Sequence, residues 1–224
     1  AALNRDEAAL GYNAYSLWQT GKDEHGQAWP LAFKSIGDYK MPGYIYAAIL
    51  PIKLFGLNDF SIRFWSALAG VVSVVMLYLI TQNIIAASLM ALNPWAIFYS
   101  RIAFEANLAL ALFLVGLWLL LKQRWWGYLF WLLAGLTYSS SLIFLPLFVF
   151  WLKPKLVPAL VFLAVFSLMF ISLWTVSAQK ANVTIFNDPA TIDYYNQART
   201  RIYQQNPLLA RTWWNKNVYF GRVI

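Results

Sequence analysis

Cysteine is missing from all 224 residues, which excludes disulfides and thiolate metal sites. Histidine is nearly missing: His25 is the one copy. A metal centre needs several converging ligands, so no metal site is expected and no cofactor is implied. Charge is scarce as well. Asp, Glu, Lys and Arg make up 12% of the chain, about half the share usual in soluble domains. Carboxylates are rarest of all, 9 Asp and Glu against 17 Lys and Arg, for a net charge of +8. Those cations lie between apolar segments and in two polar flanks, forming no basic stripe, which argues against nucleic acid as a partner. They suit lipid headgroups instead. What remains is 61% hydrophobic and 18% aromatic, with a mean hydropathy of +0.55. The balance points to an all-α integral membrane protein.

The apolar residues fall into segments. Residues 1–61 are mixed and polar-aromatic, and are read as one extracytoplasmic loop carrying short interfacial helices. Transmembrane helices are expected over 62–176, at about 62–81, 84–99, 103–121, 125–138, 141–152 and 156–178. The stretch "GLTYSSSLIFLPL" is read as two short helices meeting at Tyr138–Ser141, because the serines and Pro146 weaken a continuous one. Residues 180–224 turn polar again, with a turn at Asn187-Asp188-Pro189 and a helix expected over 190–205. Arg199, Arg201 and Arg211 there suit phosphate headgroups. No turn residues separate "LYLITQN" from "IIAAS", where a loop of several residues is expected. With no span before Ala1 and a stop at "FGRVI", the sequence is expected to be part of a longer chain.

Short basic turns set the orientation. Lys122-Gln123-Arg124 and Lys153-Pro154-Lys155 fall on one side by helix parity, which makes that side cytoplasmic. Residues 1–61, Ser100–Glu105 and 180–224 then face outward.

That outer side carries the acids. In "NRDEAAL" the spacing reads as a helix start: Asn4 as N-cap, Glu7 reaching back from three residues on, and Asp6 favouring the positive end of the helix. A second reading uses position, since a carboxylate held at the lipid–water boundary can serve as a general base. One acid can cap while the other does chemistry.

The longer pattern adds a resemblance. Asp6-Glu7 is followed by "YKMPGYIY" and "KLFGLNDFSIRFWSALAG", then by "ALNPWAIFYSRIAFEANLALALF" and "GLTYSSSLIFLPL". In this order and spacing the motifs resemble the membrane glycosyltransferases of the GT-C fold, in particular the protein O-mannosyltransferase and aminoarabinose-transferase group. The resemblance covers nearly all of residues 4–155. Two departures stand out: the family's first helix is missing, and Met41 replaces the first proline of a Lys-Pro-Pro pattern.

The resemblance implies a multi-span GT-C-like helical bundle in a prokaryotic plasma membrane, with its active site facing outward. It implies transfer of a sugar from a polyprenyl-phosphate donor to a hydroxyl on a protein, lipid or glycan acceptor. Asp6 aligns with the family's catalytic Asp as general base, Glu7 would orient the base or acceptor, and Lys40 would contact the lipid phosphate. Arg101 and Glu105 would complete the pocket. Each residue also has a plainer reading. Lys40 can snorkel to the interface, Arg63 can anchor a helix start, and Glu105 can complement a helix dipole. Trp18, Trp29, Tyr39, Tyr44 and Tyr46 are read as interfacial aromatics before sugar-stacking ones. The alternative function is a transporter or flippase for a lipid-linked or anionic substrate. A midplane cluster of acids and an internal repeat would favour it, and neither is visible.

Overall fold

The computed structural model describes residues 3–35, 38–152 and 156–182, together with Gln197. Residues 1–174 form one compact unit, and the fold below is that of this unit. Of 175–224, the described residues are the end of the last helix and Gln197. The Lys153–Lys155 turn, the Asn187–Pro189 turn and the helix expected over 190–205 lie outside the described residues.

The described residues are mostly helical, and the first 61 are far from irregular. Helix α1 (Arg5–Thr20) opens with a capping box: the Asn4 side chain accepts the Glu7 N–H at 2.8 Å, and Glu7 accepts the Asn4 N–H at 3.0 Å. It closes on Gly21, whose φ of 70° is the left-handed value glycine takes most easily. A small antiparallel hairpin follows, β1 (Phe33–Ser35) with β2 (Asp38–Lys40). It is a small addition to a mostly helical, all-α chain: alternation buries Phe33 completely, and its register pairs Phe33 with Lys40. Met41, buried, leads directly into α2 (Pro42–Phe55), with Pro42 at the first helical position.

Helix α3 (Asp59–Thr81) begins three residues before the expected start, because Asn58 and Ser61 cap each other's backbone. No long loop follows it. Gln82 adopts a left-handed φ of 52° and Asn83 accepts the N–H groups of Ile85 and Ala86, so two residues make the turn. The single helix expected over 84–99 is broken into α4 (Ile84–Leu92) and α5 (Pro94–Arg101). Pro94 cannot donate to α4, and Asn93 caps α5 through the Trp95 N–H at 2.9 Å. The chain then bends by 112° into α6 (Glu105–Leu121). Helices α7 (Gly127–Thr137), α8 (Ser141–Leu152) and α9 (Leu156–Asn182) complete it, with α7 and α8 separated at Tyr138–Ser140.

Two apolar cores result. One joins α1, α2, α3 and α6 around Leu10, Leu17, Tyr44, Ile45 and Ile62. The other joins α6 to α9 around Phe113, Trp131, Leu145 and Phe162. Trp131 is wholly buried and its indole N–H donates to the Phe113 carbonyl at 3.1 Å. Gly116 makes room for it: a Cβ there would collide with the Trp131 ring. Helix α3 buries a narrow face, Ile62, Ser66, Ala69 and Ser73, recurring at helical spacing. Among the described residues α3 is long and apolar enough to cross a membrane by itself, and α5 with α6 passes as a bent pair.

Candidate functional site

The site grows from the first turn of α1. Glu7 is 1% exposed, and its carboxylate accepts four hydrogen bonds. Arg63 Nε donates to Oε1 at 2.7 Å and Arg63 Nη2 to Oε2 at 2.9 Å, a bidentate fork. The Asn4 N–H fills Oε2 at 3.0 Å and the Ala103 N–H fills Oε1 at 2.7 Å. Burial alone would push this carboxyl up. The Arg63 fork and the two backbone donors outweigh it and hold Glu7 below its ordinary value. Glu7 is therefore committed to tying α1, α3 and the α5–α6 bend together. Arg63, which its sequence position assigns to interface anchoring, is its partner across 56 positions, with Asp59 at 3.9 Å as a looser second.

The bend needs this. Ile102, Ala103 and Phe104 leave the helical ladder, and their backbone groups must be satisfied where water is excluded. Glu7 takes the Ala103 N–H. Ser66 Oγ takes the Phe104 N–H at 3.0 Å, and Asn107 Nδ2 donates to the Ser66 carbonyl at 2.8 Å. Tyr44 is 0% exposed, and its hydroxyl donates to the Ile62 carbonyl at 2.9 Å and meets Ser66 Oγ at 3.0 Å. Burial pushes Tyr44 up to about 12, against the Ser66 hydrogen bonds and with help from the Glu7 and Glu105 carboxylates. It serves as a neutral core donor here, which corrects its reading as an interfacial aromatic. Glu105 is the buried first residue of α6, two positions beyond the amide that Glu7 holds.

Asp6 points elsewhere. Its side chain is 66% exposed, and its Oδ1 lies 3.1 Å from Lys40 Nζ. Lys40 is only 15% exposed, its stem covered and its ammonium delivered to Asp6 by the hairpin. An ion pair with so open a partner contributes at most about 1 kcal/mol to stability. It can open when a ligand competes for either member.

Arg101 belongs to a third feature. With Asp59, Arg63, Ser100, Phe64 and Leu68 it lines an open groove of about 690 Å³ along α3 and α5. Its charged lining is Arg101 with Asp59 and the Glu7-paired Arg63, and its wall is aromatic and aliphatic. Gly70 sets the approach of the two helices, since a Cβ there would fall on the Ser100 hydroxyl.

The aromatics divide similarly. Trp18 carries Lys53 over its ring at 4.3 Å. Trp29, 61% exposed, stacks on Tyr46, whose hydroxyl donates to the Pro30 carbonyl at 2.8 Å. His25 sits on the surface with Nε2 3.1 Å from the Lys34 carbonyl. Among the described residues no three His, Asp or Glu side chains gather as a metal site would require.

Sequence reasoning missed Arg63 as the Glu7 partner, and Ser66, Tyr44 and Asn107 as its neighbours. A signal was present in Arg63, Ser66 and Gly70, polar or small residues three and four apart in an apolar helix. Compared with protein-family models, with curated proteins and with solved structures, the chain matches none of them.

Proposed function

We propose that this chain belongs to a multi-span membrane glycosyltransferase that moves a sugar from a polyprenyl-phosphate donor to an acceptor hydroxyl at the outer face. The observation that carries the reading is the exposed Asp6 carboxylate 3.1 Å from the Lys40 ammonium. Asp6 is one residue from Glu7, whose Arg63 partner borders a groove with an apolar wall. Extensive apolar exposure supports the membrane setting: Val71, Leu92, Ile143 and Ile171 are each at least 63% exposed. Large exposed apolar areas mark contact with a membrane or a partner.

In the proposed reaction the donor phosphate draws Lys40 away from Asp6. The freed carboxylate accepts the acceptor hydroxyl proton as the oxygen attacks the anomeric carbon. The bond from that carbon to the phosphate oxygen breaks, and polyprenyl phosphate leaves with the electron pair. A phosphate leaves without protonation, so one carboxylate suffices, unlike the two a glycosidase needs. Lys40, its stem covered, stabilises the phosphate, and Arg101 at the neighbouring groove adds charge from the solvent side. Glu7 holds Arg63 in place and Glu105 shapes the bend behind it.

The test is Asp6→Asn, assayed as sugar transfer per folded molecule. General-base catalysis supplies about 10²–10⁴-fold, so turnover should fall by that much while the melting temperature in detergent stays close to wild type. Retention of more than about a tenth of the turnover would remove Asp6 as the base.

A further inference from the structure

At the opposite end of the α6–α7 pair, two adjoining cavities have no part in the reaction above. The larger, about 510 Å³, runs between α7 and α9 and is lined by Trp126, Leu129, Val161 and Val165. The smaller, about 100 Å³, lies under the α6–α7 turn and includes Gln123 and Arg124. Trp125, Tyr128 and Pro158 line both, so a polar cavity, the mouth, adjoins an apolar trough and the two together make the groove.

The mouth is built for negative charge. Arg124 lines it directly, and Lys122 precedes it by two residues. Helix α7 starts there with its positive end at the same place, its Gly127, Tyr128 and Leu129 N–H groups taken by the Arg124, Trp125 and Trp126 carbonyls. The Tyr128 hydroxyl is buried with no hydrogen-bond partner among the described residues, so a polar donor is held in reserve beside the groove. Trp125 and Trp126 stack at 3.9 Å and are 57% and 53% exposed, as residues that ride at headgroup level are. Beyond them Leu129, Val161 and Val165 are 47%, 59% and 44% exposed, a strip that an acyl chain would cover.

We infer that this groove binds an anionic phospholipid of the cytoplasmic leaflet, its phosphate at Arg124 and one acyl chain along Leu129, Val161 and Val165. The inference rests on the membrane reading above, but not on sugar transfer. The lipid would fill the trough between α7 and α9 and brace the helices behind the second core.

Native mass spectrometry of the chain released from detergent micelles, with phosphatidylglycerol or phosphatidylcholine added, tests it. Bound phosphatidylglycerol should survive release in preference to phosphatidylcholine. Arg124→Ala should cut that preference about fivefold, the effect of one cation near a membrane surface. Val161→Trp, which fills the trough and leaves the charge, should cut phosphatidylglycerol binding to the same degree. Equal retention of both lipids by the wild-type chain would overturn the inference, as would full binding by Val161→Trp, which would reduce it to headgroup attraction. Carbonate extraction of membranes separates the two failures: a chain that leaves with carbonate was never embedded, and the membrane reading falls too.

Discussion

Neighbouring carboxylates at the head of α1 do opposite work because a helix turns by about 100° per residue. Glu7 faces inward onto Arg63, Asn4 and Ala103, while Asp6 faces out to Lys40. The inward acid is the one that stability depends on. Glu7→Gln leaves Arg63 short of its counter-charge, and breaking a largely buried pair of this kind costs roughly 3 kcal/mol. The same pair sets a pH dependence. Glu7 is depressed below its ordinary value of 4.5, so its contribution is complete above that pH. It is lost as pH falls through the lower folded value. Melting temperatures in detergent from pH 7 down to pH 3 should therefore fall steeply below about 4.5 for the wild type, and less steeply for Glu7→Gln. Parallel profiles for the two proteins would show that the fork is not the titrating element.

At the scale of elements, the 112° bend between α5 and α6 is the unusual feature. It is held by side chains from elsewhere, Glu7 of α1 and Ser66 of α3, each taking one freed amide. Ser66→Ala would strand the Phe104 N–H and deprive Tyr44 of one of its two partners. An unsatisfied buried donor costs about 1–3 kcal/mol. Hydrogen exchange should show the Phe104 amide losing protection in Ser66→Ala, while amides within α3 keep theirs. Unchanged protection at Phe104 would mean that water or another group serves that amide. What the sequence revealed here follows from range. The capping box spans three residues and could be read locally, as could the break at Tyr138–Ser141, marked by its own serines and Pro146. The Glu7–Arg63 fork and the Ser66–Phe104 contact join positions 56 and 38 residues apart, and no local pattern encodes which distant partner is met. Asn93-Pro94 is likewise a local signal that ends α4, and α5 is a separate helix beyond it.

For the molecule as a whole, composition indicated helices and apolar surface, and the helices carry that surface outward. Leu92, Ile143 and Ile171 remain open, while a polar network is buried among α1, α3 and the α5–α6 bend. The proposed site combines an exposed acid, a delivered ammonium and a nearby groove with an apolar wall. A flippase would use similar charges to carry its substrate across, whereas a transferase uses them to break one bond and make another. The decisive measurement follows the sugar itself. The purified chain in sealed lipid vesicles is given polyprenyl-phosphate carrying a radiolabelled sugar, with a hydroxyl-bearing acceptor outside. The account predicts label covalently attached to the acceptor, with free polyprenyl phosphate formed in equal amount. Label that crosses to the vesicle interior still joined to its lipid, with none on the acceptor, would contradict it.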